Sequence, residues 1–198
     1  MRFLWNKTYR GVFYLGVYCG LWKGPQHYTL EELQLKPSDF NRHIAKIALT
    51  LQTKGFEAYI VGGSLRDLLA KQKIKPKDFD IVTSADPKQV KKCFPRSRII
   101  GKRFRLVHVP AGGDIVEVCT FRGRSSWLAS WRGARYKNNI YGNIEQDAWR
   151  RDFSCNALYY DVKNAIVIDF INGVKDIKAR QLKVIGCCAK RFKEDPVR

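Results

Sequence analysis

"VGGSLRDLLAKQKIKPKDFDIVT", residues 61–83, carries two patterns that settle how this chain is built. The run before it, "EAYIV" (57–61), is apolar and β-prone, and it meets Gly62-Gly63 head on. From Ser64 the pattern turns helical, "GGSLRDLLA" (62–70). A strand, a glycine turn and a helix therefore follow one another. Two glycines allow close backbone approach, and the new helix offers its first N–H groups to an anion. Ser64 is placed to cap, and Arg66 can fork onto a phosphate. The pattern is neither G-x-G-x-x-G nor G-x-x-x-x-G-K-[ST], so dinucleotide and P-loop readings do not apply. The second pattern is "DFDIVT" (78–83), a strand with period-two alternation. Asp78 and Asp80 fall on one side of it and Phe79 on the other, the core side. Two carboxylates about 7 Å apart repel unless a cation sits between them, and oxygen ligands suit Mg²⁺. An alternative is a surface D-x-D paired with Lys75 and Lys77.

Outward from this stretch the chain is mixed α/β. "SDFNRHIAKIALTLQTKG" reads as a helix with Ser38 as its cap, Phe40, Ile44, Ile47, Ala48 and Leu51 on one face, and Gly55 at its end. Asp86-Pro87 starts a further helix running to about Cys93. "RFRLVHVPA" and "DIVEVCTF" alternate as strands joined by Gly112-Gly113. Residues 122–143 read as a loop, and "IEQDAWRRDFSCNALYY" as helix, then strand. "AIVIDF" and "QLKVIG" read as short strands around a helical turn at Val174–Ala179, and "KRFKEDPVR" as the start of a helix. Residues 23–37, with Gly24, Pro25 and Pro37, read as a connector. Short strands favour a small mixed sheet over a long parallel one.

The 198 residues carry 37 Lys+Arg against 18 Asp+Glu, a net charge of +19, which points to a polyanion partner. The charge is concentrated: thirteen Lys/Arg less four Asp/Glu gives +9 between Arg66 and Arg105. A 45% hydrophobic content supplies a real core and excludes a disordered chain. Six cysteines without C-x-x-C, and three scattered histidines, read as reduced cytoplasmic thiols and exclude a histidine metal site. The uncharged run Gly11–Trp22 is too short to cross a bilayer, and Lys23-Gly24-Pro25 follows where a signal cleavage site would stand. Glu117 in "DIVEVCTF" and Asp152 in "WRRDFSCNALYY" are candidates for a third acidic group. A strand edge would be the plain reason for Glu117, and a surface salt bridge the plain reason for Arg150, Arg151 and Asp152.

"VGGSLRDLL", "KDFDIVTSA", "IIGKRFRLVHV", "EVCTFRG", "RRDFSCNALYYD" and "RFKEDPVR" occur in this order. Over residues 55–198 the chain thereby resembles the class II nucleotidyltransferases of the polymerase-β-like superfamily: bacterial poly(A) polymerases and CCA-adding enzymes. "IIGKRFRLVHV" and "EDPVR" resemble the poly(A) polymerase branch more. The resemblance implies a polymerase-β-like head at 38–185, an extension at 1–37, and the start of a helical neck at 186–198. It implies transfer of AMP from ATP to an RNA 3′ end, with two Mg²⁺ ions. Addition of CCA to tRNA and an inactive RNA-binding remnant are the alternatives. Asp78 and Asp80 would hold the metals with Glu117, while Asp152 belongs to the RRD motif counted with the catalytic set. Gly62, Gly63, Ser64 and Arg66 would meet the triphosphate, with Lys102, Arg103 and Arg105 on phosphates of ATP or RNA. Arg151 and Asn156 would assist near the ribose. Asp195 and Arg198 match the base-selecting E-D-x-x-R element, which family members follow with helical neck and body domains. Without following turns this element is expected to fray. Ala70 stands where the family often has glycine, the linker "AKQKIKPK" is somewhat long, and the loop after "FRG" is short.

Overall fold

The computed structural model describes residues 24–71, 76, 79–101, 105–123, 141–194 and 196. The readings placed on 1–23, Asp78, Lys102, Arg103, the loop 124–140, Asp195 and Arg198 lie outside them. Eight strands form one mixed sheet: β1 (Gln26–Thr29), β2 (Ala58–Val61), β3 (Asp80–Thr83), β4 (Arg98–Ile100), β5 (Leu106–Ala111), β6 (Asp114–Thr120), β7 (Leu158–Asp161) and β8 (Ile166–Asp169). Their order across the sheet is β1-β8-β7-β2-β3-β6-β5-β4. Among the described residues only β3 and β6 pair in parallel. Six helices accompany them: α1 (Arg42–Thr53), α2 (Gly63–Leu69), α3 (Pro87–Cys93), α4 (Ile144–Arg150), α5 (Gly173–Lys178) and α6 (Cys188–Glu194). None of these is long and apolar enough to cross a membrane.

The helix α1 buries the face read from its periodicity, Ile44, Ile47, Ala48 and Leu51. Each fully buried aliphatic side chain of this kind contributes about 1.5–3 kcal/mol. Its cap is Asn41, whose side chain accepts from the His43 N–H, and Ser38 lies one turn earlier in a 3₁₀ turn, Pro37–Asp39. Ser38 is thus not the cap, because Phe40 is extended and breaks the helical run. At the other end Gly55, at φ +86°, lets the Gly55 and Phe56 N–H groups return to the Gln52 and Leu51 carbonyls. In α3, Asp86 accepts from the Lys88 and Gln89 N–H groups and Pro87 takes the first turn, as its sequence requires. Gly112 and Gly113 both take positive φ and close the β5–β6 hairpin in two residues.

Two readings give way. Residues 23–37 are more than a connector: Gln26–Thr29 pairs with β8, and Leu30, Leu33 and Leu35 are buried in the core. "QLKVIG" makes only a single bridge, Val184 to Phe153, in place of a strand.

The sheet separates two apolar layers. On one face α1, α2, α3 and α5 pack against Ile60, Ile81, Val107, Val109, Val118 and Tyr160. On the other, α4 covers Tyr59, Val61, Val82, Tyr159 and Ile168. Among the described residues that second cover reaches only part of the way across the sheet.

Candidate active site

A single register row crosses the partly covered face. Ile168, Tyr159 and Val61 are cross-strand partners, and Val61 continues to Asp80, Glu117, His108 and Arg98. Partners in register point to the same side of a sheet. The row therefore changes from apolar and buried to ionisable between Val61 and Asp80, and Asp80, Glu117 and Arg98 are exposed. Phe79 is buried in the opposite layer, against Phe40, as the alternation requires. Glu117 is not at an edge: β6 lies between β3 and β5, so its charge sits in the interior of the sheet. Its carboxylate lies 3.4 Å from His108 Nε2 and alongside the backbone position of Asp80.

The glycine turn abuts this row. Gly62 has φ +88° and ψ −153°, a conformation open to glycine. The backbone conformation is what calls for glycine, and a side-chain carbon there would also stand 3.2 Å from Asp80 Oδ2, which would have to shift slightly. Gly62 is also the N-cap of α2, and Ser64 does not cap; its hydroxyl donates back to the Val61 carbonyl at 3.4 Å. Arg66, one turn into α2, donates through Nη1 to Asn156 Oδ1 at 2.9 Å and holds Asp67 with its other nitrogens. The structure thus brings together Gly62, Asp80 and Glu117 on the sheet, and Arg66 and Asn156 beside the turn.

Arg151 is turned inward. Its guanidinium meets Asp147, Tyr159 Oη and the Asn156 carbonyl. Arg150 also pairs with Asp147, so the plain surface salt bridge with Asp152 is replaced by a buried one a turn earlier. Asp147 has a fully buried side chain and additionally accepts from the Arg122 N–H and Tyr159 Oη. Burial pushes its carboxyl up, but Arg151 and Arg150 outweigh burial and hold it below the ordinary aspartate value. Burial opposes the charge of Arg151 as well, yet Tyr159 and Asp147 raise its pKa. Asp147 was not singled out by the sequence reading; its signal was the spacing to Arg150 and Arg151, three and four residues on. Asp152 follows α4, half-buried, with Oδ1 accepting from the Phe153 N–H and its carbonyl from the Ile185 N–H.

Asp80 and Glu117 are hard oxygen donors side by side on an exposed surface, a set that suits Mg²⁺. Among the described residues no three His, Cys, Asp or Glu side chains group to hold a metal, and Asp78 lies outside them. Cys119, two residues from Glu117, has its thiol pushed up to about 11 by burial and is no nucleophile here.

The sequence profile described as the poly A polymerase head domain matches residues 58–183, the span that holds the glycine turn, the carboxylate row and the RRD segment. The chain belongs to this family. It is a class II nucleotidyltransferase head, as the resemblance implied. It is 46% identical over 175 residues to poly(A) polymerase I of Haemophilus influenzae, covering 84% of this chain and 38% of that protein. It is 42% identical over 149 residues to the CCA-adding enzyme of Lactobacillus helveticus, covering 75% and 36%. The crystal structure of the Bacillus stearothermophilus CCA-adding enzyme in complex with CTP superposes with a TM-score of 0.68 at 33% identity, covering 82% of this chain and 37% of that one. The chain therefore spans well under half the length of these relatives.

Proposed function

We propose that this chain is the catalytic head of an enzyme that extends an RNA 3′ end with AMP from ATP. The observation that carries the reading is the register row, in which Asp80 and Glu117 stand side by side against the Gly62 turn. Asp78, Asp80 and Glu117 would hold two Mg²⁺ ions, which when bound supply charge neutralisation for the triphosphate and acidify the attacking 3′-hydroxyl. The Gly62-Gly63 turn admits a phosphate close to the backbone, and Ser64 and Arg66 line its helix. Arg66 and Asn156 are linked by a hydrogen bond, so a nucleotide held by one is oriented by the other. Asp152 and Asn156 are assigned to the ribose, with Arg151 fixing the Asn156 carbonyl from beneath. Arg103 is assigned to phosphate, and Asp195 and Arg198 to the incoming base.

The preference for AMP rests on identity to poly(A) polymerase I at 43–46% over 84–85% of the chain. A second reading, CCA addition to tRNA, is favoured by the superposition on CCA-adding enzymes, one of them complexed with tRNA. Incubation with Mg²⁺, an RNA primer and each NTP separately distinguishes them. Extension with ATP alone is expected; extension with CTP as well would transfer the assignment to the tRNA reaction. No extension with any NTP, together with no ATP binding, would reduce the chain to an RNA-binding remnant.

A further inference from the structure

The carboxylate row does not end at Glu117. His108 and then Arg98 follow in register on the same face, and Arg98 lies on β4, the last strand of the sheet. Strand spacing puts Arg98 about 10 Å beyond Glu117. Past Arg98 the chain turns the sheet edge through exposed Arg96 and enters α3 on the opposite face, where Lys88 and Lys92 are exposed. Between Asp86 and Asp114 there are eight Lys/Arg and no acidic residue. Lys91 is committed to the fold, donating to the Pro95 and Ser97 carbonyls that shape this turn. Among the described residues Lys88, Lys92, Arg96 and Arg98 form no salt bridge with a carboxylate.

We infer that these four residues form the track along which the RNA strand leaves the site, its backbone passing from the open sheet face around the β4 edge onto α3. The inference rests on the RNA-extension reading and adds the path of its polymeric substrate. Charges that merely guard a sheet edge belong on the edge strand, whereas Arg96 lies in the turn before it and Lys92 and Lys88 lie one helical turn apart on α3. A line of cations without counter-charges binds phosphates by releasing their condensed counterions, with no demand on base identity. The extension reading places the 3′ terminus at Asp80 and Glu117, which gives the strand one polarity, with its upstream phosphates at Arg98 and beyond.

The test compares the wild-type chain with a variant carrying Lys88→Gln, Lys92→Gln, Arg96→Gln and Arg98→Gln. A control neutralises four exposed cations elsewhere, Lys163, Lys175, Lys178 and Arg180. Binding of a labelled single-stranded RNA is followed by fluorescence anisotropy over a range of salt. The track variant is expected to lose at least about tenfold in affinity, with the slope of log K against log salt flattening by about 0.7 for each contact removed. The control is expected to match wild type. ATP binding, measured on the same proteins, is expected to persist in the track variant. RNA affinity and slope equal to wild type would overturn the track. Failure of wild type to bind ATP would count against the catalytic reading and leave the RNA result to judge the track.

Discussion

The two halves of one sheet face are built from the same backbone and serve opposite ends. West of Val61, under α4, the row is Val61, Tyr159 and Ile168, all buried, and Tyr159 packs edge-on against Tyr59 and Phe170. East of it the row is Asp80, Glu117, His108 and Arg98, all exposed but the half-buried His108. Each half contains an ionisable cluster, and the treatment of charge is what separates them. The covered half surrounds one carboxylate, Asp147, with two guanidiniums, a phenol and a backbone N–H. The open half sets carboxylates beside one another on an exposed surface, a donor set that suits a hard cation. Support and proposed chemistry are thus divided across a single strand boundary, with Arg151 and Asn156 as the bridge between them.

Substitutions in the two halves should separate stability from activity. The largest effect is expected at Asp80. Asp80→Ala should lower RNA extension by more than the roughly 10- to 100-fold lost when only a supporting partner of a metal ligand is removed. Unfolding by urea should be unchanged, since the side chain is exposed. Next comes Asp147→Ala in the covered half. It leaves Arg151 buried without its anion, and should cost about 3–5 kcal/mol in the same urea experiment. A pH titration sharpens this. The folded pKa of Asp147 is depressed, so its contribution is present above the unfolded value of about 3.9 and is lost as pH falls through the folded one. Wild type should therefore lose more stability than Asp147→Asn below about pH 4. At the boundary itself, Gly62→Ala should cost about 1–3 kcal/mol from backbone strain, and it also crowds Asp80, so activity should fall more than stability. The smallest effect is expected at the start of α3: Asp86→Ala removes a helix cap and should cost about 1 kcal/mol with ATP affinity unchanged.

Local features were legible in the sequence because local chemistry sets them. The Gly62-Gly63 turn, the Asp86-Pro87 helix start, the Gly55 stop and the Phe79/Asp80 alternation all depend on residues within one turn of each other. The strand Gln26–Thr29 was missed because a four-residue edge strand, mostly exposed, carries no alternation; its partner residues in β8, Ile166–Asp169, are far away in sequence. Ser64 was misassigned as a cap because its hydroxyl finds the Val61 carbonyl once Gly62 takes its unusual conformation. The pairing of Asp80 with Glu117 depends on the parallel β3–β6 register, which no local pattern encodes. The sequence named both residues as candidates, and the fold put them side by side. Asp147 was missed because a helical aspartate followed by two arginines reads as a surface residue until Tyr159 and Arg122 enclose it.

Counting Mn²⁺ bound to the purified chain in the presence of ATP, by electron paramagnetic resonance, tests the central assignment without requiring turnover. Wild type should bind Mn²⁺ with ATP, Asp80→Ala should lose that binding, and Asp86→Ala should keep it. Equal Mn²⁺–ATP binding by wild type and Asp80→Ala would contradict the assignment of the open half of the sheet as the metal and nucleotide site.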